Sequence, residues 1–214
     1  MKTKIKICGL TNPKEAEYLN QHHVDFAGFV LFFEKSKRNN TIAQAEAIAA
    51  HLSPEIKRVA VVVSPSADEI RQIQDSTARF DYIQIHGLLS AELLTQITLP
   101  ILKAFNVTDM EHYEQYHECS QIAGYVFDAA EPGSGKTFDW NLVKKLPRDE
   151  KLLLLAGGLS VDNIQDAIQA LHPDGVDVSS SVEFSDHPGK DPQKLQQFVT
   201  NVRSVDTTVS IPTL

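Results

Sequence analysis

The chain has 214 residues, 42% of them hydrophobic and 22% charged, with a formal net charge of −8. These proportions belong to a globular chain able to bury a substantial core, as one large domain or two small ones. They exclude broad contact with nucleic acid or anionic membrane, which needs basic surface, and no run approaches the roughly 20 apolar residues of a membrane span.

The N-terminus, "MKTKIKICGL", has no apolar segment of the secretory type. Cys8 and Cys119 are too few for a disulfide framework, so a reducing, cytoplasmic setting is expected. No CxxC or HxxxH spacing suggests a metal site, and no cofactor is expected.

Apolar, β-rich runs recur along the chain: "KIKI" (4–7), "FAGFVLF" (26–32), "RVAVVV" (58–63), "YIQI" (82–85), "ILKAF" (101–105), "GYVFD" (124–128), "KLLLLA" (151–156) and "GVDVSS" (175–180). Helical patterns lie between most of them. Asn12, Pro13 and Glu15 place a cap, a first-turn proline and a capping-box acid before the first. Thr41 with Gln44 and Ser66 with Glu69 repeat that logic, and Asp191-Pro192 opens the last helix. Eight strands alternating with about eight helices, with no composition break, predict a single-domain (β/α)8 TIM barrel over residues 1–204. Residues 205–214 follow no helical pattern and are expected to form a loosely held tail.

Barrel active sites lie on the loops after the carboxyl ends of the strands. Cys8 stands at the first such end, either as a small buried hydrophobe or as a thiol whose pKa is brought down for base chemistry. Helix N-termini around the mouth are a candidate source of that lowering, which the sequence does not show. Arg38 follows the second run, as a solvated basic residue or a two-pronged carboxylate clamp. His86 ends the fourth run, in a structural or a direct role. Asp128 closes an otherwise apolar run, as a loop cap or as a desolvated carboxyl able to donate a proton. Asp177 is expected to hold the barrel interior or orient substrate. Gly157-Gly158 and Ser179-Ser180, after the last two runs, read as tight turns or as a phosphate cradle.

The stretch "AEPGSGKT" (130–137) satisfies a loose nucleotide-loop pattern. Only about two helical turns follow before Pro147, however, and a partner strand ending in Asp is hard to find. A mobile, glycine-rich loop over the site, carrying Gly133, Gly135 and Lys136, fits better.

The series "KICGLT" (6–11), "GFVLFFEKSKR" (28–38), "IQIHG" (83–87), "FDAAEPGSGKTFDW" (127–140), "AGGLSVDN" (156–163) and "GVDVSSSVE" (175–183) resembles that of the phosphoribosylanthranilate isomerases, in order and over residues 4–203. It departs from the family at Glu34 and Lys37, where prolines are usual, and at Ser181, where glycine is. The resemblance implies a cofactor-free Amadori rearrangement of N-(5-phosphoribosyl)anthranilate in tryptophan biosynthesis. In it, Asp128 would be the general acid, Cys8 the general base and Arg38 the carboxylate site. Gly157, Gly158, Ser179 and Ser180 would hold the phosphate of this small substrate, in a monomer or a homodimer. Three other readings stay open: a sibling phosphosugar barrel, a phosphosugar-binding barrel without activity, and a nucleotide hydrolase.

Overall fold

The structure, a computed structural model, describes residues 2–106, 113–128, 141–144 and 148–208. Its strands are β1 (Lys4–Cys8), β2 (Phe26–Leu31), β3 (Asn39–Asn40), β4 (Lys57–Val63), β5 (Tyr82–His86), β6 (Ile101–Asn106), β7 (Ile122–Asp128), β8 (Leu152–Leu155) and β9 (Gly175–Val178). Its helices are α1 (Pro13–His22), α2 (Ile42–Ala49), α3 (Ala67–Asp75), α4 (Ala91–Leu94), α5 (Asn141–Lys144), α6 (Ile164–Leu171) and α7 (Pro192–Thr208). All the strand pairings are parallel, and β1 pairs with both β2 and β9, so the sheet closes into a (β/α)8 barrel. The eight apolar runs are the eight barrel strands.

Two apolar layers follow from the period of two along each strand. Ile5, Ile7, Phe29, Ile83, Ile85 and Phe127 point outward into the layer packed under the helices. Phe26, Val59, Val61, Leu102, Ala104, Val126 and Leu154 point inward and fill the barrel. Tyr113, Tyr125 and Phe127 surround Phe105 on the outer face, with ring centroids 5.8 to 6.1 Å from it.

The helix starts form as the sequence predicts. Asn12 with Glu15, Thr41 with Gln44 and Ser66 with Glu69 all close as reciprocal capping boxes, and each cap contributes about 1 kcal/mol. At α7 the Asp191 carboxylate accepts from the Gln193 N–H at 2.9 Å.

Two features differ from expectation. The pair Asn39–Asn40 adds a short ninth strand beside Val30 and Leu31 at the barrel mouth. Helix α7 also runs four residues beyond 204, to Thr208. Leu195, Phe198, Val199, Val202 and Val205 form one buried stripe, and the Asp206 carboxylate accepts from the Thr3 N–H and hydroxyl at 2.9 and 2.8 Å. Packing against the strand-side core thus extends the helix into a stretch of weak helix formers. Among the described residues no helix is long and apolar enough to cross a membrane.

Candidate active site

The carboxyl ends of the strands open on one cavity of about 400 Å³. Cys8, His86, Asp128 and Asp177 reach it from β1, β5, β7 and β9. Arg38, Gly157, Gly158, Ser179 and Ser180 line it from the loops. The structure therefore gathers at one place these nine candidate site residues, while Gly133, Gly135 and Lys136 lie outside the described residues. An apolar wall of Val30, Phe33, Val61 and Val63 completes one side.

Alternation along β1 turns Cys8 inward and, two residues earlier, Lys6. Lys6 is fully buried, and its ammonium lies 2.8 Å from Asp177 Oδ2. Burial works against the charge on Lys6, but Asp177 and the Cys8 thiol outweigh it, so its pKa stays above the ordinary lysine value. For Asp177 burial prevails over Lys6, and its carboxyl is pushed up. Cys8 is likewise pushed up by burial, while Lys6 and then Lys190 pull it down. Two buried ammonium groups thus favour the thiolate, and burial exceeds them.

His86 is held neutral: burial, then the charges of Lys6 and Lys103, lower its pKa to about 3. The Gln84 amide nitrogen is 2.9 Å from its Nε2. With that amide donating, the ring proton sits on Nδ1. Asp128 ends β7 half-buried, in register with Asn106 at the end of β6. In strand order Asp128 is three steps from Cys8, so the two face each other across most of the mouth.

A charged cluster fixes the rim. Arg38 donates from Nε and, at 3.1 Å, from Nη2 to the Glu183 carboxylate, which also pairs with Lys37 at 2.8 Å and Lys190 at 3.1 Å. Burial opposes the charge on Glu183, but Arg38, Lys190 and Lys37 prevail and hold its carboxyl at about 2. Asn40 donates to the Leu10 and Arg38 carbonyls at 2.8 and 3.1 Å, tying the first two loops together. Glu15 joins the ends of the chain, accepting from the Thr11 and Lys190 N–H groups at 2.6 and 2.8 Å.

Opposite Arg38, Gly157 and Gly158 turn at φ of 78° and 66°, a conformation that favours glycine. The Asn163 side chain clasps this turn, donating to the Gly158 carbonyl and accepting from the Ser160 N–H, both at 2.9 Å. Ser179 donates its hydroxyl to the Cys8 carbonyl at 3.0 Å, and Lys190 donates to the Ser179 carbonyl at 3.2 Å. Ser181 keeps a negative φ, and its hydroxyl bonds to the Leu159 carbonyl, so serine fits this turn without strain. Glu34 is exposed.

Sequence reasoning missed Lys6, Gln84, Asn106, Glu183 and Lys190. A strict inward–outward reading of "KIKIC" would have put Lys6 on the same face as Cys8. Gln84 Oε1, Asn106 Oδ1 and Asp177 Oδ1 are buried acceptors without a donor among the described residues, and all three residues line the cavity. Among the described residues no three His, Cys, Asp or Glu side chains gather as a metal ion requires.

The sequence pattern of the family described as N-(5'-phosphoribosyl)anthranilate (PRA) isomerase matches residues 5–201. The chain is 39% identical over 202 residues to the N-(5'-phosphoribosyl)anthranilate isomerase of Streptococcus gordonii, covering 94% of this chain and 98% of that one. Its fold superposes on the crystal structure of phosphoribosyl anthranilate isomerase from Thermotoga maritima with a TM-score of 0.83 and 34% identity, over 94% and 99% of the two chains. A further isomerase structure, solved in complex with reduced 1-(o-carboxyphenylamino)-1-deoxyribulose 5-phosphate, gives a TM-score of 0.77 at 31% identity, over 94% and 99%. With the fold, the cavity and these likenesses in agreement, the chain belongs to the N-(5'-phosphoribosyl)anthranilate isomerase family.

Proposed function

We propose that the chain converts N-(5'-phosphoribosyl)anthranilate to 1-(2-carboxyphenylamino)-1-deoxyribulose 5-phosphate in tryptophan biosynthesis, with Asp128 as general acid and Cys8 as general base. The observation that carries this reading is the placement of a carboxyl and a thiol at opposed strand ends of one cavity, between an arginine and a glycine-serine cradle. Family membership supports it.

The substrate spans the cavity. Its phosphate takes the backbone amides of Gly157 and Gly158 and the serines of the last loop, at the place where such barrels hold phosphate. Its aromatic ring lies on the wall of Val30, Phe33, Val61 and Val63. Glu183 occupies one edge of the Arg38 guanidinium, which leaves Nη1 and the second Nη2 hydrogen for the anthranilate carboxylate. The sugar hydroxyls satisfy the buried acceptors on Asp177, Gln84 and Asn106.

Held by both ends, the sugar is oriented over the two proton-transfer groups. Asp128 gives its proton to the furanose ring oxygen as the C1–O bond breaks, and the nitrogen lone pair forms the C1=N iminium. The Cys8 thiolate then takes the C2 proton. The C2–H electrons form C1=C2, and the iminium π electrons return to nitrogen. The resulting enolamine gains a proton at C1 and loses one from the C2 hydroxyl, giving the ketone. No electrons are gained or lost overall.

The test is to mix purified protein with freshly generated phosphoribosylanthranilate, follow the loss of anthranilate-type fluorescence and identify the product, after borohydride reduction, by co-elution with reduced 1-(2-carboxyphenylamino)-1-deoxyribulose 5-phosphate. Enzyme-dependent conversion to the aminodeoxyribulose is the expected result. Folded protein that binds the reduced product but turns nothing over would move the reading to a binding barrel.

A further inference from the structure

The barrel interior behind Cys8 is charged rather than apolar. Lys6 lies one inward position below the thiol on β1, fully buried, and the β1–β9 register sets it directly beside Asp177. Isolated burial of an ammonium is strongly unfavourable. Asp177 Oδ2 takes one of its three donors at 2.8 Å, and the ammonium charge favours ionisation of the Cys8 thiol.

The neighbouring strand makes room for that contact. Gly28 faces Cys8 in the β1–β2 register, and a Cβ placed on it would come within 2.9 Å of Cys8 Sγ and 3.1 Å of Lys6 Nζ. Thiol and ammonium thus share the space that a side chain at position 28 would fill.

We propose that Lys6 is a positioning residue for the base: its ammonium, anchored by Asp177, is the counter-ion of the Cys8 thiolate, and Gly28 is the vacancy that lets the two meet. This rests on the reading of Cys8 as the base, but it is tested without turnover.

The charged groups around Cys8 single out Lys6. On β1 it is Lys6 itself; from β9 it is Asp177, whose charge opposes the thiolate; from the segment after β9 it is Lys190. Strand β2 presents only Gly28 at this level. Lys190 is engaged by Glu183 and the Ser179 carbonyl, and Arg38 by Glu183. Of Lys6 and Lys190, Lys6 has the larger pull on the Cys8 thiol, and it shares with the sulfur the space left by Gly28. Removing a partner charge at this range moves a pKa by about 1–3 units.

The experiment uses the full chain carrying Cys119→Ser, which leaves Cys8 as its one thiol. The rate of carboxyamidomethylation by iodoacetamide is measured against pH, with circular dichroism as the check on folding. Lys6→Met is expected to raise the midpoint of the alkylation profile by about one pH unit or more, slowing alkylation at neutral pH about tenfold. Asp177→Asn keeps the shape of the site, removes the opposing charge and is expected to lower the midpoint. Should Lys6→Met fail to fold, the Asp177→Asn arm decides alone. Midpoint shifts in opposite directions support the ion pair. A midpoint unmoved in folded Lys6→Met, or an upward shift in Asp177→Asn, overturns it. Opposed shifts in a protein that shows no isomerase turnover would uphold the pair and remove the proposed reaction instead.

Discussion

Arg38 and Glu183 stand 145 positions apart in the chain, yet they form a two-pronged ion pair on the rim of the cavity. The pair holds the guanidinium by one edge, so the carboxylate site proposed at Arg38 depends on a residue that need not touch substrate. Glu183→Gln is expected to raise KM about tenfold with a smaller effect on kcat, the pattern of lost ground-state positioning. Steady-state kinetics over a range of substrate concentrations measure this; a fall in kcat at constant KM would oppose it.

The same carboxylate sets an acid limit on stability. Its folded pKa, about 2, lies below the unfolded value of about 4.3. It therefore contributes stability that is complete above the unfolded value and is lost as pH falls from there toward 2. The difference amounts to about 3 kcal/mol at most. Urea unfolding at pH 6, 4 and 3 should show wild type losing stability more steeply below pH 4.5 than Glu183→Gln. Parallel losses would contradict this assignment.

His86 acts in the opposite part of the titration. Its folded pKa of about 3 lies below the unfolded value near 6.5. Between the two, the unfolded chain binds the extra proton, so this group makes stability fall as pH falls. The His86 ring should remain neutral in NMR titrations down to about pH 4, and His86→Gln should flatten the stability curve between pH 6.5 and 4. A ring midpoint near 6.5 would show that the imidazole is not buried among cations as described.

The turn at Gly157-Gly158 offers a test of the proposed phosphate site. Both residues have positive φ, where an L side chain costs about 1–2 kcal/mol. Gly158→Ala should weaken competitive inhibition by inorganic phosphate and raise KM, with kcat less affected. Inhibition constants measured for both proteins give the answer, and equal constants would remove the phosphate from this turn.

The end of α7 bears on stability alone. Truncation after residue 204 removes the buried Val205 and the two bonds from Thr3 to Asp206. The loss should be about 2–4 kcal/mol, from about 1.5 for the side chain and roughly 1 for each bond. Urea midpoints of the two chains decide it; equal midpoints would make these residues a dispensable tail.

Local sequence carried the architecture. Eight apolar strand runs alternating with helices, the capping boxes at Asn12, Thr41 and Ser66, and small or polar residues just after the strands were enough to find the barrel and most of its mouth. What escaped was long-range. Lys6 meets Asp177 across 171 positions, and Lys190 meets Glu15 across 175, so no local periodicity could register either contact. The charges around Cys8 were out of reach for the same reason, since they come from the barrel interior and from the segment after β9. The extension of α7 reflects tertiary packing of Val205 overriding weak helix propensity.

The measurement that tests the account most directly is kcat for Cys8→Ser and Asp128→Asn beside wild type, on substrate generated in place and with folding checked for each. Losing the base or the acid should each lower kcat by about 10²-fold or more, while the variants still bind the reduced product analogue. A variant of either residue that keeps kcat within tenfold of wild type would contradict the assignment of that proton transfer.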